Sequence, residues 1–344
     1  MSENNTEAAQ TVKFDVSIIM PVYNGVEFIV KSLPPLLEMQ RRGEVREVIV
    51  VDDTSSDDTA KVAEELGARV IPSGGRLGPG AARNEAAKLA AGDILWFIDA
   101  DVILHDDAAT YMAEGFTEAE VVAVFGSYDD QPPAQNFLSQ YKNLVHHFYH
   151  HRGRKEASTF WSGCGAVRKQ AFLDVGGFDI ETYTRPSIED IELGYRLREA
   201  GGKIMLFPEL QSTHLKVWRF VNLIHTEIFC RAIPWSRLML QQTGIVDDLN
   251  VSSQERLRAG LAGILFVALL AVLMGWLPLW AVVIIVGSAI AANKNLFMLF
   301  YKRKGLVFAL MGMTFHQLYY LYSSAAFVYC VLENKITGPA KQSA

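Results

Sequence analysis

Short apolar runs separated by amphipathic stretches fill the first two hundred residues, and long apolar runs fill the last ninety. Four runs, 16–20, 47–51, 69–71 and 94–98, are rich in Val and Ile and bounded by turn residues, which predicts strands. Between them, helices are predicted at 26–41, Asp57–Leu66 and the Ala-rich Gly80–Ala91. Pro34-Pro35 predicts an irregular turn inside the first of these. Further helices are predicted at 134–151 and Ile191–Ala200. This β-α-β-α rhythm predicts an α/β domain over 14–215, with a mostly parallel sheet and helices on both faces.

The C-terminal pattern differs. Apolar stretches at about 257–275, 276–292 and 306–332 approach the ~20 residues a membrane span needs. They predict a transmembrane region over 251–335, its third segment (bearing His316 and Gln317) tilted or partly interfacial, followed by a tail at 336–344. Lys294, Lys302, Arg303 and Lys304 lie in one connection, whereas Gly275–Pro278 carries no charge. The positive-inside rule then predicts a multi-pass inner-membrane protein whose soluble domain faces the cytoplasm. In 216–250, Trp218, Phe220, Phe229 and Trp235 interleave with Arg219, Arg231 and Arg237, the pattern of an interfacial helix or of a helix packed on the domain. Residues 1–13 read as a polar, disordered leader without a signal-peptide core.

Charge sharpens the division. Residues 251–344 hold eight Lys/Arg and two Asp/Glu, leaving 24 and 36 in the first 250 residues. An acidic soluble part argues against a nucleic-acid partner. Cys164, Cys230 and Cys330 are widely spaced, with neither disulfide nor metal-site spacing, and read as reduced thiols.

The candidate chemistry sits at strand ends, where open α/β sheets bind ligands. Asp99-Ala100-Asp101 follows the 94–98 strand, two carboxylates suited to a hard divalent cation that can in turn hold a diphosphate. Asp52-Asp53 end the second strand and can cap the next helix or accept hydrogen bonds from a base or ribose. Gly78–Asn84 is a small-residue helix entry carrying Arg83, able to meet a phosphate or support the two aspartates. Glu189-Asp190 open a helix, where carboxylates also serve the helix dipole. His146-His147 and His150-His151 recur at i, i+4, which suits a metal or, on our reading, a polar, acceptor-facing helix side. The segment after the first strand, Pro21-Val22-Tyr23-Asn24-Gly25, lacks both the dinucleotide fingerprint and the basic Gly-rich loop of a nucleotidyltransferase.

Pro21–Asn24, Val51–Thr59, Gly78–Asn84, Asp99-Ala100-Asp101 and Glu189-Asp190 together resemble the family 2 glycosyltransferases of the nucleotide-sugar-binding GT-A fold, over about residues 15–215. The resemblance implies an inverting transfer of one sugar from a nucleoside-diphosphate-sugar. It implies that Pro21, Tyr23 and Asp53 or Asp52 hold the nucleoside. Asp101 would bind Mn²⁺ or Mg²⁺, with Asp99 on ribose or metal and His214 as a further ligand. Phe160–Ala166, with Gly163 and Cys164, would be a strand lining the sugar pocket, Asp190 the general base and Glu189 an acceptor contact. The Gln-x-x-Arg-Trp motif of processive synthases is absent, the nearest text being Lys216-Val217-Trp218-Arg219, which favours single transfer. The membrane region implies a lipid-linked or membrane-proximal hydroxyl acceptor. The alternatives are a polyprenyl-phosphate acceptor or a non-catalytic membrane adaptor.

Overall fold

The computed structural model describes residues 14–241 and 249–338; the predicted leader, residues 242–248 of the 216–250 segment and the tail from 339 lie outside the described residues. In chain order the first half comprises β1 (Val16–Val22), α1 (Val26–Arg41), β2 (Glu47–Asp52), α2 (Thr59–Glu65), β3 (Arg69–Pro72), α3 (Pro79–Leu89), β4 (Ile94–Ile98), β5 (Val102–Leu104), α4 (Ala108–Gly115) and β6 (Val121–Tyr128). There follow α5 (Phe137–His150), β7 (Glu156–Ala157), β8 (Cys164–Arg168), α6 (Lys169–Asp174), α7 (Glu189–Glu199) and β9 (Lys203–His214). The remainder is helical: α8 (Phe220–His225), a π-helical stretch (Thr226–Ala232), α9 (Ile233–Gln241), α10 (Ser253–Leu273), α11 (Leu279–Ala292) and α12 (Lys294–Thr337).

One nine-stranded sheet runs β3-β2-β1-β4-β8-β6-β9-β5, with β7 paired to β9. The predicted parallel arrangement holds across β3-β2-β1-β4. Beyond β4 the sheet is mixed: β8 runs antiparallel to both neighbours, while β6 and β9 are parallel. Residues on β4 alternate between two cores. Ile94, Trp96 and Ile98 pack on one face, Leu95 and Phe97 on the other. Burial on both faces is why these strands read as unbroken apolar runs.

Three expectations are corrected. Pro34 and Pro35 do not interrupt α1, which continues to Arg41. Buried Leu33 and Leu36 hold that turn against the core, and the carbonyls the prolines leave open belong to exposed Val30 and Lys31, where water can bond them. The predicted 160–166 strand begins only at Cys164, residues 160–161 being irregular and 162–163 a turn. Among the described residues a single helix, α10, is long and apolar enough by itself to cross a membrane, or two spans if the bent α11–α12 pair counts as one, where three were expected. The 14 residues of α11 reach about 21 Å, short of a ~30 Å hydrocarbon layer. α11 and α12 meet at a 78° bend, and α12 kinks again at Gly305, whose φ is +81°.

The polar residues of the third apolar stretch explain why it is not a uniform span. Tyr320 donates to Glu255 (2.6 Å) and Asn293 (2.9 Å), and Tyr149 donates to Glu255 (3.0 Å). His316 Nδ1 lies 2.8 Å from the Tyr141 hydroxyl. This buried network ties α12 to α5 and α10, as the apolar contacts of Tyr141, Leu144, Phe300 and Met313 do beside it. The 216–250 segment also has two sides. Trp218, Leu223, Trp235 and Leu238 are buried, and Phe220, Val221 and Phe229 are exposed.

Candidate active site

A cavity of about 960 Å³ lies against the carboxyl ends of β1 and β4 and extends to α10 and α12. Pro21 and Tyr23 wall its outer end, Arg76 stacking 4.1 Å above the Tyr23 ring. Asp99 and Asp101 enter it from the turn between β4 and β5. The antiparallel β5–β9 register pairs Val102 with His214, and the amide of Leu215 donates to the Asp101 carbonyl at 2.8 Å. That pairing sets His214 Nε2 3.5 Å from Asp101 Oδ2. The His214 ring stacks on Tyr128, 4.3 Å between centroids and 7° from parallel.

Arg83 comes from α3 and is only 2 % exposed. Its Nη2 lies 2.5 Å from Asp99 Oδ1. Burial raises the Asp99 carboxyl above its ordinary value, and the charges of Asp101 and Asp190 add to that against the pull of Arg83. Asp101 goes the other way: burial alone would raise it, but the hydrogen bond and charge of His214 outweigh burial and hold it low. The site thus separates two neighbouring carboxylates, as acid–base centres do.

Asp190 and Glu189 open α7. Asp190 Oδ2 accepts from the backbone amide and hydroxyl of Ser162 (3.1 and 3.3 Å), and Oδ1 accepts from the Ile191 amide. Glu189 is buried and accepts from the Ser187 amide at 2.7 Å. Burial, then the charge of Asp190, pushes its carboxyl up to about 7. Glu189, Asp190, Asp99 and Asp101 all line the one cavity.

Other predicted residues fall elsewhere. Asp53 is committed to the loop before α3, accepting from Ser73 Oγ (2.7 Å) and the amides of Leu77 (3.0 Å) and Gly78 (2.9 Å). Asp52 accepts from the Ser55 amide and is half-buried. Neither lines the cavity. Cys164 packs in the core on one face of the sheet, and burial pushes its thiol up to about 12; as a pocket residue it is corrected. Gly163 does line the cavity, and a Cβ there would lie 2.6 Å from the Trp161 ring.

The sequence reading missed Tyr128, Lys216 and the cavity role of Arg231, all of which line the cavity beside Trp161 of the expected 160–166 segment. One signal was present in the paired histidines of α5. His146 and His150 face inward at 3.9 Å from each other, His146 against Tyr128 and both against Trp161.

The donor set at Asp101 and His214 suits a divalent cation: a carboxylate oxygen and an imidazole nitrogen at one spot, with the Asp99 carboxylate beside them. Among the described residues no three His, Cys, Asp or Glu side chains converge on a ready-made metal site. That fits a cation held by two protein ligands and completed by substrate phosphate, the habit of Mg²⁺ and its analogues.

Comparison with known proteins places these residues in context. Residues 17–176 match the model described as "Glycosyl transferase family 2", and residues 142–219 the one described as "N-terminal domain of galactosyltransferase". The poly(ribitol-phosphate) beta-glucosyltransferase of Bacillus spizizenii is 33 % identical over 102 residues, 27 % of this chain and 16 % of that protein. The poly-beta-1,6-N-acetyl-D-glucosamine synthase of Staphylococcus aureus is 28 % identical over 207 residues, 56 % of this chain and 48 % of that protein. Both matches span less than two thirds of the relative's own length. A solved mannosyltransferase of Pyrobaculum calidifontis, in complex with GDP-Man and Mn²⁺, aligns over 94 % of this chain and 88 % of that one, at 18 % identity and a TM-score of 0.49.

Proposed function

The chain belongs to glycosyl transferase family 2 through residues 17–176, and from that premise we propose that it moves one sugar from a nucleoside-diphosphate-sugar to a membrane-borne acceptor, with inversion. The observation that carries this reading is the single cavity. Its one end holds Asp99, Asp101, Asp190 and His214, and its other end lies between the helices that carry the chain's apolar surface.

The donor is proposed to lie with its nucleoside toward Pro21, Tyr23 and the nearby end of β2 at Asp52, which pairs with Val22. Its diphosphate lies at Asp99 and Asp101, within reach of Lys216, whose charge is felt at Asp101. Asp101 and His214 would hold a Mn²⁺ or Mg²⁺, which would supply neutralisation of the charge growing on the departing diphosphate. Arg83 holds Asp99 in place. The acceptor hydroxyl oxygen attacks the anomeric carbon as the bond to the diphosphate oxygen breaks. Asp190 takes the hydroxyl proton, and the nucleoside diphosphate leaves with the bonding pair. One displacement on one face gives inversion. The two Ser162 hydrogen bonds fix the Asp190 carboxylate for that task. Glu189, its carboxyl pushed up to about 7 by burial and the charge of Asp190, stands beside it as an acceptor contact.

Membrane attachment is proposed through α10, with the catalytic domain on the cytoplasmic side beside Lys294, Lys302, Arg303 and Lys304. Exposed Leu257, Ile264, Val267, Trp280, Val283 and Ile284 support it. The test is the melting temperature of detergent-purified protein with UDP, GDP, CDP or dTDP, each with and without Mn²⁺. A nucleotide at ~100 times its dissociation constant adds about 2.7 kcal/mol. A shift with one nucleotide that needs Mn²⁺ supports the reading, and no shift with any of them in folded protein overturns it.

A further inference from the structure

The paired histidines of α5 have no part in the transfer chemistry, yet three of the four turn toward one short piece of β6. His150 Nδ1 donates to the Gly126 carbonyl at 2.8 Å. His147 Nδ1 donates to the Tyr128 carbonyl, also at 2.8 Å. His146 lies against the Tyr128 ring, 4.3 Å between centroids. Asn143, one turn earlier, donates to the Asp129 carbonyl at 2.6 Å. The β6–β9 register shifts between Phe125 and Ser127, so the ladder is irregular where α5 reaches it. Side chains thus take up carbonyls that a regular ladder would have used. Burial brings the His150 imidazole down to about 4, so it is neutral at pH 7 and its single N–H serves the Gly126 carbonyl.

Tyr128 passes this order on to the cation site. It is buried, and Trp161 meets its ring edge-on at 4.8 Å. Its ring lies flat on His214, 7° from parallel and 4.3 Å between centroids. Free rotation of the imidazole would swing Nε2 away from Asp101 Oδ2, which lies 3.5 Å from it. A metal-binding histidine is usually held by a hydrogen bond at its other ring nitrogen. Among the described residues Nδ1 of His214 has no such partner, and Tyr128 supplies the one aromatic face against the ring. A helix side turned to an acceptor would keep its imidazole N–H groups for that acceptor, whereas those of His147 and His150 are taken up by β6.

We propose that Tyr128 is the positioning residue of the cation site: its ring fixes the plane of the His214 imidazole so that Nε2 faces Asp101, and the α5 histidines serve the site by fixing Tyr128, His147 and His150 through the backbone and His146 through the ring. The inference rests on the reading of Asp101 and His214 as the ligands of the cation.

The test uses the full chain in detergent with Mn²⁺ alone as the probe. Electron paramagnetic resonance gives the affinity from the signal of free Mn²⁺, and the nitrogen modulation of the bound ion reports imidazole coordination. The wild type is expected to show a nitrogen coupling that His214→Ala removes. Tyr128→Leu is expected to weaken Mn²⁺ binding by about 10–100-fold and to lose the coupling, whereas Tyr128→Phe, which keeps the ring, retains both. His146→Leu is expected to change both in the same direction, with rescue by His146→Phe. In the His214→Ala background, Tyr128→Leu is expected to have no further effect on Mn²⁺ affinity. Coupling and affinity that survive in Tyr128→Leu overturn the proposal. So does their loss in Tyr128→Phe, which makes the hydroxyl the acting group, and so does an undiminished effect in the His214→Ala background, which makes the effect a general structural one. Should Tyr128→Leu fail to fold, unchanged coupling in His146→Leu overturns the proposal in its place. A wild type without nitrogen coupling removes His214 as a ligand and overturns the cation reading itself, while coupling indifferent to Tyr128 counts against this proposal alone.

Discussion

Arg83→Met isolates the charge balance on which the site depends. Arg83 is the cation that draws down both Asp99 and Glu189, against the charges of Asp101 and Asp190. Methionine keeps an apolar stem among Phe97 and Phe178, over whose rings the guanidinium lies at 5.9 and 5.5 Å. Removing one partner of a buried ion pair costs about 3–5 kcal/mol. Asp99 keeps 36 % of its side-chain surface open to the cavity, so solvent screens part of this, and about 3 kcal/mol is the expected loss. The sign of its pH dependence follows from the raised carboxyls. A carboxyl whose folded value is raised binds its proton more tightly in the native state, so stability falls as pH rises from the unfolded value to the folded one. For Glu189 that window runs from 4.5 to about 7. Without Arg83 both carboxyls hold their protons to still higher pH, and the fall is steeper and longer. Thermal unfolding in detergent is therefore expected to show a small deficit for the variant near pH 5 and a full one above pH 7, about 6–12 °C in Tm. Equal deficits at pH 5 and pH 8 would refute the reasoning, since they would mean that Arg83 acts by packing.

Asp190→Asn is expected to lower turnover on a hydroxyl acceptor by about 10²–10⁴ while leaving the nucleotide-induced Tm shift intact; steady-state kinetics showing less than a tenfold loss removes Asp190 as the base and favours a phosphate nucleophile. Asp101→Ala should abolish the Mn²⁺ dependence of nucleotide binding, read by calorimetry with and without the metal, and a retained Mn²⁺ requirement would place the cation elsewhere. Glu189→Gln should become more stable than the wild type as pH rises through 4.5 to about 7, by up to about 3 kcal/mol at pH 8, because the wild type must then ionise a buried carboxyl. Parallel stability–pH curves for the two proteins would contradict that burial effect.

The apolar runs and turn residues of the sequence mark out the elements and the strand ends where the candidate residues stand. Runs such as 94–98 and 47–51 are apolar on both faces, so they were bound to be buried strands, and the helices between them to cover the sheet. Asp99 and Asp101, at the end of such a strand, stand at the sheet edge that the cavity lies against. Glu189 and Asp190 were legible as the opening of α7. What only the tertiary structure decided are the partners of these groups across long stretches of chain. The β5–β9 pairing brings His214 to Asp101, and α3 delivers Arg83 to Asp99. The choice between Asp52 and Asp53 depended on the loop before α3, which engages Asp53. Pro34 and Pro35 misled because local backbone chemistry was outweighed by burial of Leu33 and Leu36. The last apolar stretch has two sides that its hydropathy does not separate: Tyr320 and His316 turn inward to Glu255 and Tyr141, while Leu306, Val307, Leu310 and Leu318 stay exposed. Periodicity records which face of a segment is buried. It does not record what that face is buried against, and the cavity between Asp190, Arg231 and α10 is made only by such contacts.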